Sequence, residues 1–246
     1  MTLAIFDLDN TLIGGDSDNL WGQFVCEQGL VDSTDFAARN DQFYADYQAG
    51  NLDIDAYLRF ALSPLKGLPR ATRDSWHQAF MDSKIKPILL PKAGELIADH
   101  RNRGHELLII TATNRFITEP IASLLGIEDL IACEGEIVDD VYTGEPSGVP
   151  SYHAGKVTRL NQWLEGRDAT LEGAWFYSDS HNDLPLLEQV DNPVAVDPDA
   201  TLRARAIELG CLCADCHPFV VPGSRQAPFP QDTQKRRPWQ LAFGHP

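Results

Sequence analysis

Residues 6–12 read FDLDNTL, and with the residues just before them they give LAIFDL (3–8), a short apolar run that ends in acid. A run of this length, apolar throughout rather than alternating, is the pattern of a parallel strand buried on both faces. The carboxyl end of such a strand is where an open parallel sheet places its ligand crevice. Asp7 and Asp9 leave the strand at that end, one carboxylate entering the crevice and the next following a turn later. The expectation is an α/β chain whose chemistry begins at Asp7.

Working outward, the same texture recurs. ELLIITA (106–112), AWFYSD (174–179) and NPVAVD (192–197) read as buried strands, and LIACEGEIVDDVYTGE (130–145) as short strands joined by turns. Helical patterns cover 93–103, 116–125, 154–165, 183–189 and 199–209, with Gly104 and Gly126 as stop signals. Repeated strand–helix alternation predicts a Rossmann-like parallel sheet with helices on both faces. Between residues 17 and 85 the pattern is helical only: Leu20, Phe24, Leu30, Phe36, Phe43, Tyr47, Tyr57, Leu58, Phe60 and Leu62 recur at helical spacing. The predicted organisation is a core from 1–15 and 86–216, a helical cap at 16–85 inserted after the first strand, and a tail at 217–246. Six of the 30 tail residues are proline, which reads as an extended appendage rather than core.

Of the 246 residues, 36 are Asp or Glu and 20 are Lys or Arg, for a formal net charge of −16. Such a surface repels phosphate backbones and anionic lipid, so nucleic acid and membranes are excluded as expected partners. MTLAIFDLDNTL has neither the basic region nor the long apolar run of a signal peptide, and no stretch approaches a transmembrane span. The expected location is the cytoplasm, where thiols stay reduced. Against that setting stands GCLCADCHP (210–218), in which Cys213, Cys216 and His217 match the spacing of c-type haem attachment. A chain without an export segment argues against haem. Zinc held by Cys211, Cys213, Cys216 and His217 is the alternative, although their crowding is tight for a tetrahedral site.

Two strands of this reading end in paired acids, Asp7 with Asp9 and Asp179 with Asp183. Any one of them alone is an ordinary turn residue. Together at neighbouring strand ends they form an oxygen-rich cluster, which suits a hard cation such as Mg²⁺ and needs one to relieve its repulsion. Thr111 ends another strand and offers a hydroxyl, and Lys156 opens a helix and offers positive charge. A carboxylate nucleophile, an acid/base, a metal, a hydroxyl and a lysine suit phosphoryl transfer through an aspartyl phosphate.

FDLDNTL (6–12), LLIITAT (107–113), the lysine of GKVTRL (155–160) and YSDSHNDLP (177–185) resemble, in order, the four motifs of the haloacid dehalogenase-like (HAD) superfamily. The resemblance runs from residue 3 to about 210. The insert after the first strand is similar to the small C1-type cap of the phosphoserine-phosphatase-like branch, subfamily IB. The resemblance implies that Asp7 takes the phosphoryl group and that Asp9 protonates the leaving alcohol and then activates water. It implies Mg²⁺ held by Asp7, the main-chain carbonyl of Asp9, and Asp179. Thr111 and Lys156 would bind the phosphoryl oxygens, Asn182 would touch the phosphoryl group, and Asp183 would position Lys156 or metal-bound water. An acid at Asp9 distinguishes the phosphatases of the superfamily from its dehalogenases.

The substrate is expected to be a small phosphate ester. In phosphoserine phosphatases an acid seven residues beyond the second motif aspartate meets the substrate amino group; here that place is Asp16, with Asp18 two further on. The bland alternative is a helix N-cap. Those enzymes also use a cap arginine for the substrate carboxylate; the matching place here is Ala61, with Arg59 nearby. An amino-alcohol phosphate lacking a carboxylate fits better, and histidinol phosphate is the candidate, because a neighbouring HAD subgroup with a similar DLDxTLIxGDSDxLW start is commonly assigned as histidinol phosphatase. Phosphoserine, transfer to an acceptor other than water, and a HAD-like binding or regulatory protein are the alternatives. Arg115 and His181, the latter within a motif loop, are further possible contacts.

Overall fold

In the computed structural model, which describes residues 1–209 and 212–214, the LAIF run becomes the central strand of the sheet. Seven strands form it: β1 (Thr2–Phe6), β2 (Glu106–Asn114), β3 (Asp129–Val138), β4 (Val141–Ser147), β5 (Thr170–Ser178), β6 (Asn192–Val196) and β7 (Leu212–Ala214). Their order is β4-β3-β2-β1-β5-β6-β7. Every neighbouring pair is parallel except the β3–β4 hairpin. The chain fills one side of β1 with β2 and β3 and then crosses to the other with β5 and β6. The carboxyl end of β1 is therefore the topological switch point, the place where such sheets open a crevice.

Two layers of helix cover the faces. On one, Ala4, Phe6, Ile109 and Tyr177 pack with α1 (Ser17–Glu27), α5 (Pro91–Asn102) and α6 (Arg115–Leu125). On the other, Leu3, Ile5, Leu108, Ile110 and Phe176 pack with α7 (Ala154–Leu164), α8 (Leu184–Leu187) and α9 (Ala200–Leu209). Residues 3–6 alternate between the two clusters and are fully buried, which is why the run is apolar at every position.

Residues 17–85 are helical, with α2 (Ser33–Gln48), α3 (Ile54–Leu62) and α4 (Arg70–Phe80) following α1. The first helix of this insert packs into the main core. The Trp21 ring lies 5.2 Å from Phe80 and 5.3 Å from Phe116 of α6, centroid to centroid. Beyond it, α2 and α3 stack Phe36 on Phe60 at 4.2 Å and Phe43 on Phe60 at 5.1 Å. Close approach of α1 and α2 needs Gly22, where a Cβ would meet Asn40 Oδ1 at 2.1 Å.

Three strands differ from the sequence reading. β2 runs on to Asn114, and β5 begins at Thr170, four residues earlier than expected. β7 was not anticipated: three residues carry too little periodicity to read, and pairing of Leu212, Cys213 and Ala214 with Val194, Ala195 and Val196 defines the strand. Cys211, Cys216, His217 and the 217–246 tail lie outside the described residues.

Two consequences are measurable. Trp21→Ala should lower the unfolding free energy by about 3–5 kcal/mol in urea denaturation, because α1 then loses its anchor among Phe24, Phe80 and Phe116. His100 is buried beneath β5, its Nε2 2.8 Å from the Tyr177 hydroxyl, and burial with neighbouring His105 pushes its pKa down to about 4. A histidine held neutral in the fold but protonated on unfolding weakens stability as pH falls from its ordinary value near 6.5 toward 4. The wild type should lose more stability over that interval than His100→Gln; equal slopes would contradict this.

Candidate active site

Three strand ends and one helix start converge at the switch point. Asp7 follows β1, Thr111 lies near the end of β2, and Asp179 and Asp183 lie on the turn after β5. Lys156 comes from the first turn of α7. That turn is drawn inward at Gly155, where a Cβ would meet the Pro150 carbonyl oxygen at 2.0 Å. His153, just before it, has φ 53°.

The Lys156 ammonium lies 2.7 Å from Asp7 Oδ1 and 2.7 Å from Asp183 Oδ2, and all three groups are buried. Ser178 donates a further bond of 2.7 Å to Asp183 Oδ2. Burial opposes the Lys156 charge, but Asp183 and Asp7 outweigh it and hold its pKa above the ordinary lysine value. The Asp7 carboxyl is raised to about 7: burial dominates, the Lys156 charge opposes it, and Asp183 and Asp9 add to it. Burial, with Asp7 and Asp183 adding, also lifts Asp179 well above the ordinary aspartate value. Thr111, buried, accepts from the Thr113 amide at 3.1 Å through its hydroxyl.

Asp9 is held from both sides. Its Oδ1 accepts from the Ser17 amide, at the N-terminus of α1, at 2.6 Å, and its Oδ2 accepts from the Thr113 hydroxyl at 2.8 Å. Desolvation and the Asp16 charge raise it to about 7, while those donors pull the other way. A carboxyl whose pKa lies near neutrality can both give and take a proton.

Asp16 is the N-cap of α1, accepting from the Asn19 amide at 2.7 Å, and it also lines the cleft. One residue thus both caps the helix and faces the cleft. Asp18 is buried and accepts from Asn114 Nδ2 at 3.3 Å. The cleft is bounded below by Asp7, Asp9, Asp16, Asp18 and Thr111 and above by Tyr44, Tyr47 and Tyr57 of α2 and α3. Its volume is about 40 Å³, room for a water or two.

Asn182 faces the cap. Its Nδ2 donates to the Tyr47 carbonyl at 3.2 Å, and its Oδ1 accepts from the Tyr152 hydroxyl at 3.2 Å. His181 is held by Asp199, its Nδ1 2.8 Å from Oδ2. Arg59 is exposed and pairs with Glu145 at 2.8 Å, and Arg115 forks onto Glu134 at 3.0 Å. Neither arginine lines the cleft. The sequence reading missed Thr113, Asn114 and the three tyrosines. Thr113 was the most accessible, lying two residues from Thr111 and so on the same face of β2.

The profile of haloacid dehalogenase-like hydrolases matches residues 4–188. The chain belongs to this family. It is 48% identical over 212 residues to a histidinol-phosphatase of Neisseria meningitidis serogroup C, covering 85% of this chain and 96% of that one. It is 30% identical over 210 residues to the phosphoserine phosphatase SerB1 of Mycobacterium tuberculosis, covering 84% and 68%. A Bordetella pertussis Tohama I protein of unknown function, solved by crystallography, superposes with a TM-score of 0.82 at 39% identity, covering 88% and 100%. A substrate-bound phosphoserine phosphatase superposes at 0.65 with 19% identity, covering 87% and 92%, a likeness of fold alone. Among the described residues no helix of this HAD hydrolase is long and apolar enough to cross a membrane.

Removing Lys156 leaves the Asp7 and Asp183 carboxylates buried without their shared cation. Lys156→Met should lower the unfolding free energy by about 3–5 kcal/mol in urea denaturation at neutral pH. An unchanged midpoint would show that the triad carries no structural weight.

Proposed function

We propose that this protein is a Mg²⁺-dependent phosphomonoester hydrolase acting on a small amino-alcohol phosphate, with histidinol phosphate as the substrate. The observation that carries the reading is the acidity of the cleft. Asp7, Asp9 and Thr111 line it, with Lys156 bonded to Asp7. Asp16 and Asp18 line it as well, and among the described residues no Lys, Arg or His other than that paired Lys156 reaches it. A substrate carboxylate has no partner there, whereas a cationic amine or imidazole has two acids. The similarity to the Neisseria histidinol-phosphatase supports the same choice.

The donor set suits Mg²⁺. Asp7 and Asp179 leave the neighbouring strands β1 and β5, and carboxylate oxygens of this kind suit a hard cation. Asp7, Asp179 and the carbonyl of Asp9 would hold it; burial chiefly raises Asp7 and Asp179, and the neighbouring negative charge that adds to it is what a cation relieves. When bound, Mg²⁺ supplies positive charge against the phosphoryl oxygens.

The chain's own groups carry the steps. A carboxylate oxygen of Asp7 attacks phosphorus, the bond from phosphorus to the ester oxygen breaks, and Asp9 gives its proton to the departing alkoxide. Asp9, now a carboxylate, takes a proton from water as that water attacks phosphorus. The bond from phosphorus to Asp7 breaks, releasing inorganic phosphate and restoring both acids. Lys156 and Thr111 offset the charge of the phosphoryl oxygens, and Asp183 fixes the Lys156 ammonium. Asp16 and Asp18 take the substrate's cationic end. Asn182 is the third substrate contact in this scheme, its amide turning from the Tyr47 carbonyl to the phosphoryl group.

The test is a panel of phosphate esters with Mg²⁺ present. L-Histidinol phosphate should be hydrolysed with a kcat/KM well above phosphoserine, EDTA should remove activity, and Asp7→Asn should lower kcat by at least about a thousandfold. Phosphoserine hydrolysed as well as histidinol phosphate overturns the substrate; a wild type silent on every ester overturns the enzyme.

A further inference from the structure

Phe36 and Phe60 stack on each other inside the cap, while Tyr44, Tyr47 and Tyr57, together with Phe43, line the cleft. Tyr47 is tied through its carbonyl to the Asn182 amide on the loop that carries Asp179 and Asp183. Tyr44 and Tyr57 line the same cleft as Asp16 and Asp18.

That part of the cleft combines aromatic rings of the cap with the carboxylates of Asp16 and Asp18. Asp18 accepts from the Asn114 side-chain amide at 3.3 Å, a neutral group that brings no charge to it. A cation placed there gains twice, from the rings and from the carboxylate. Flat ring faces favour a flat, delocalised cation over a tetrahedral ammonium, because the whole plane of the guest makes contact.

We propose that Tyr57 and Tyr44, with Asp18 beneath them, form a specificity-determining cage for the planar cationic ring of the substrate, one ring N–H donating to the Asp18 carboxylate. This rests on the reading of the cleft as an amino-alcohol phosphate site. It assigns selectivity for an imidazolium to cap aromatics, in addition to the acid at Asp16.

The experiment compares Tyr57→Leu, Tyr57→Phe, Tyr44→Leu and Asp18→Asn with wild type on L-histidinol phosphate and on phenyl phosphate, with Mg²⁺. Leucine keeps apolar bulk, and a thermal melt of each variant verifies folding. Tyr57→Leu and Tyr44→Leu should each lower the ratio of kcat/KM between the two esters roughly tenfold, chiefly through KM for histidinol phosphate. Tyr57→Phe, which keeps the ring, should hold that ratio within about threefold. Asp18→Asn should lower it as the leucine variants do. Inhibition of phenyl phosphate hydrolysis by free L-histidinol should weaken in parallel. Ratios and inhibition unchanged in both leucine variants and in Asp18→Asn overturn the cage. Should a leucine variant fail to fold, Asp18→Asn with Tyr57→Phe decides it, an unchanged ratio in the former being fatal. A wild type that hydrolyses phenyl phosphate but not histidinol phosphate overturns the substrate instead; the cage then stands or falls on inhibition by imidazole, tyrosine-dependent or not.

Discussion

One buried ammonium holds the centre of this protein together. Lys156 is 2.7 Å from Asp7 and 2.7 Å from Asp183, and the three belong to α7, the end of β1 and the turn after β5. Two carboxylates share this one ammonium, and burial, with the neighbouring acids adding, raises the Asp7 carboxyl against the pull of the lysine. Burying charge in this way is costly unless the geometry is tight. The packing around it is correspondingly unforgiving: β1 is buried on both faces, and Gly155 allows α7 to approach Pro150 closely enough to deliver the lysine.

The sheet order explains why these elements meet. Because β2 and β5 flank β1, the loops leaving all three strands open onto one crevice. The insert that follows β1 starts at that same crevice, so α1 brings Asp16 and the Ser17 amide to Asp9 as a direct result of topology. Trp21 and Phe24 then root α1 in the core, leaving α2 and α3 to form the roof. The fold thus sets a floor built on strand ends beneath a helical cap, whose α3 packs on the β3–β4 hairpin and pairs Arg59 with Glu145.

The floor was legible in the sequence and the roof was not. Asp7, Asp9, Thr111, Asp179 and Asp183 lie at or near the ends of apolar runs, and a strand end has a fixed position relative to the crevice, so spacing alone locates them. Lys156 is similarly marked by the glycine before it. The cap tyrosines stand among phenylalanines at the same helical period, and periodicity tells which face is apolar but not which aromatic meets a carboxylate. Asn182 is the instructive case. Its neighbours in the motif are acids of the floor, yet its amide reaches Tyr47, 135 positions away in the chain. No local pattern encodes a partner at that separation.

The Asn182–Tyr47 link has a mechanical meaning as well. The loop carrying Asp179 and Asp183 is the loop fastened to the lid, so the residues that organise the floor sense whether the roof is shut. A hydrogen bond from that loop to the cap couples the two, so a displacement of either is felt by the other.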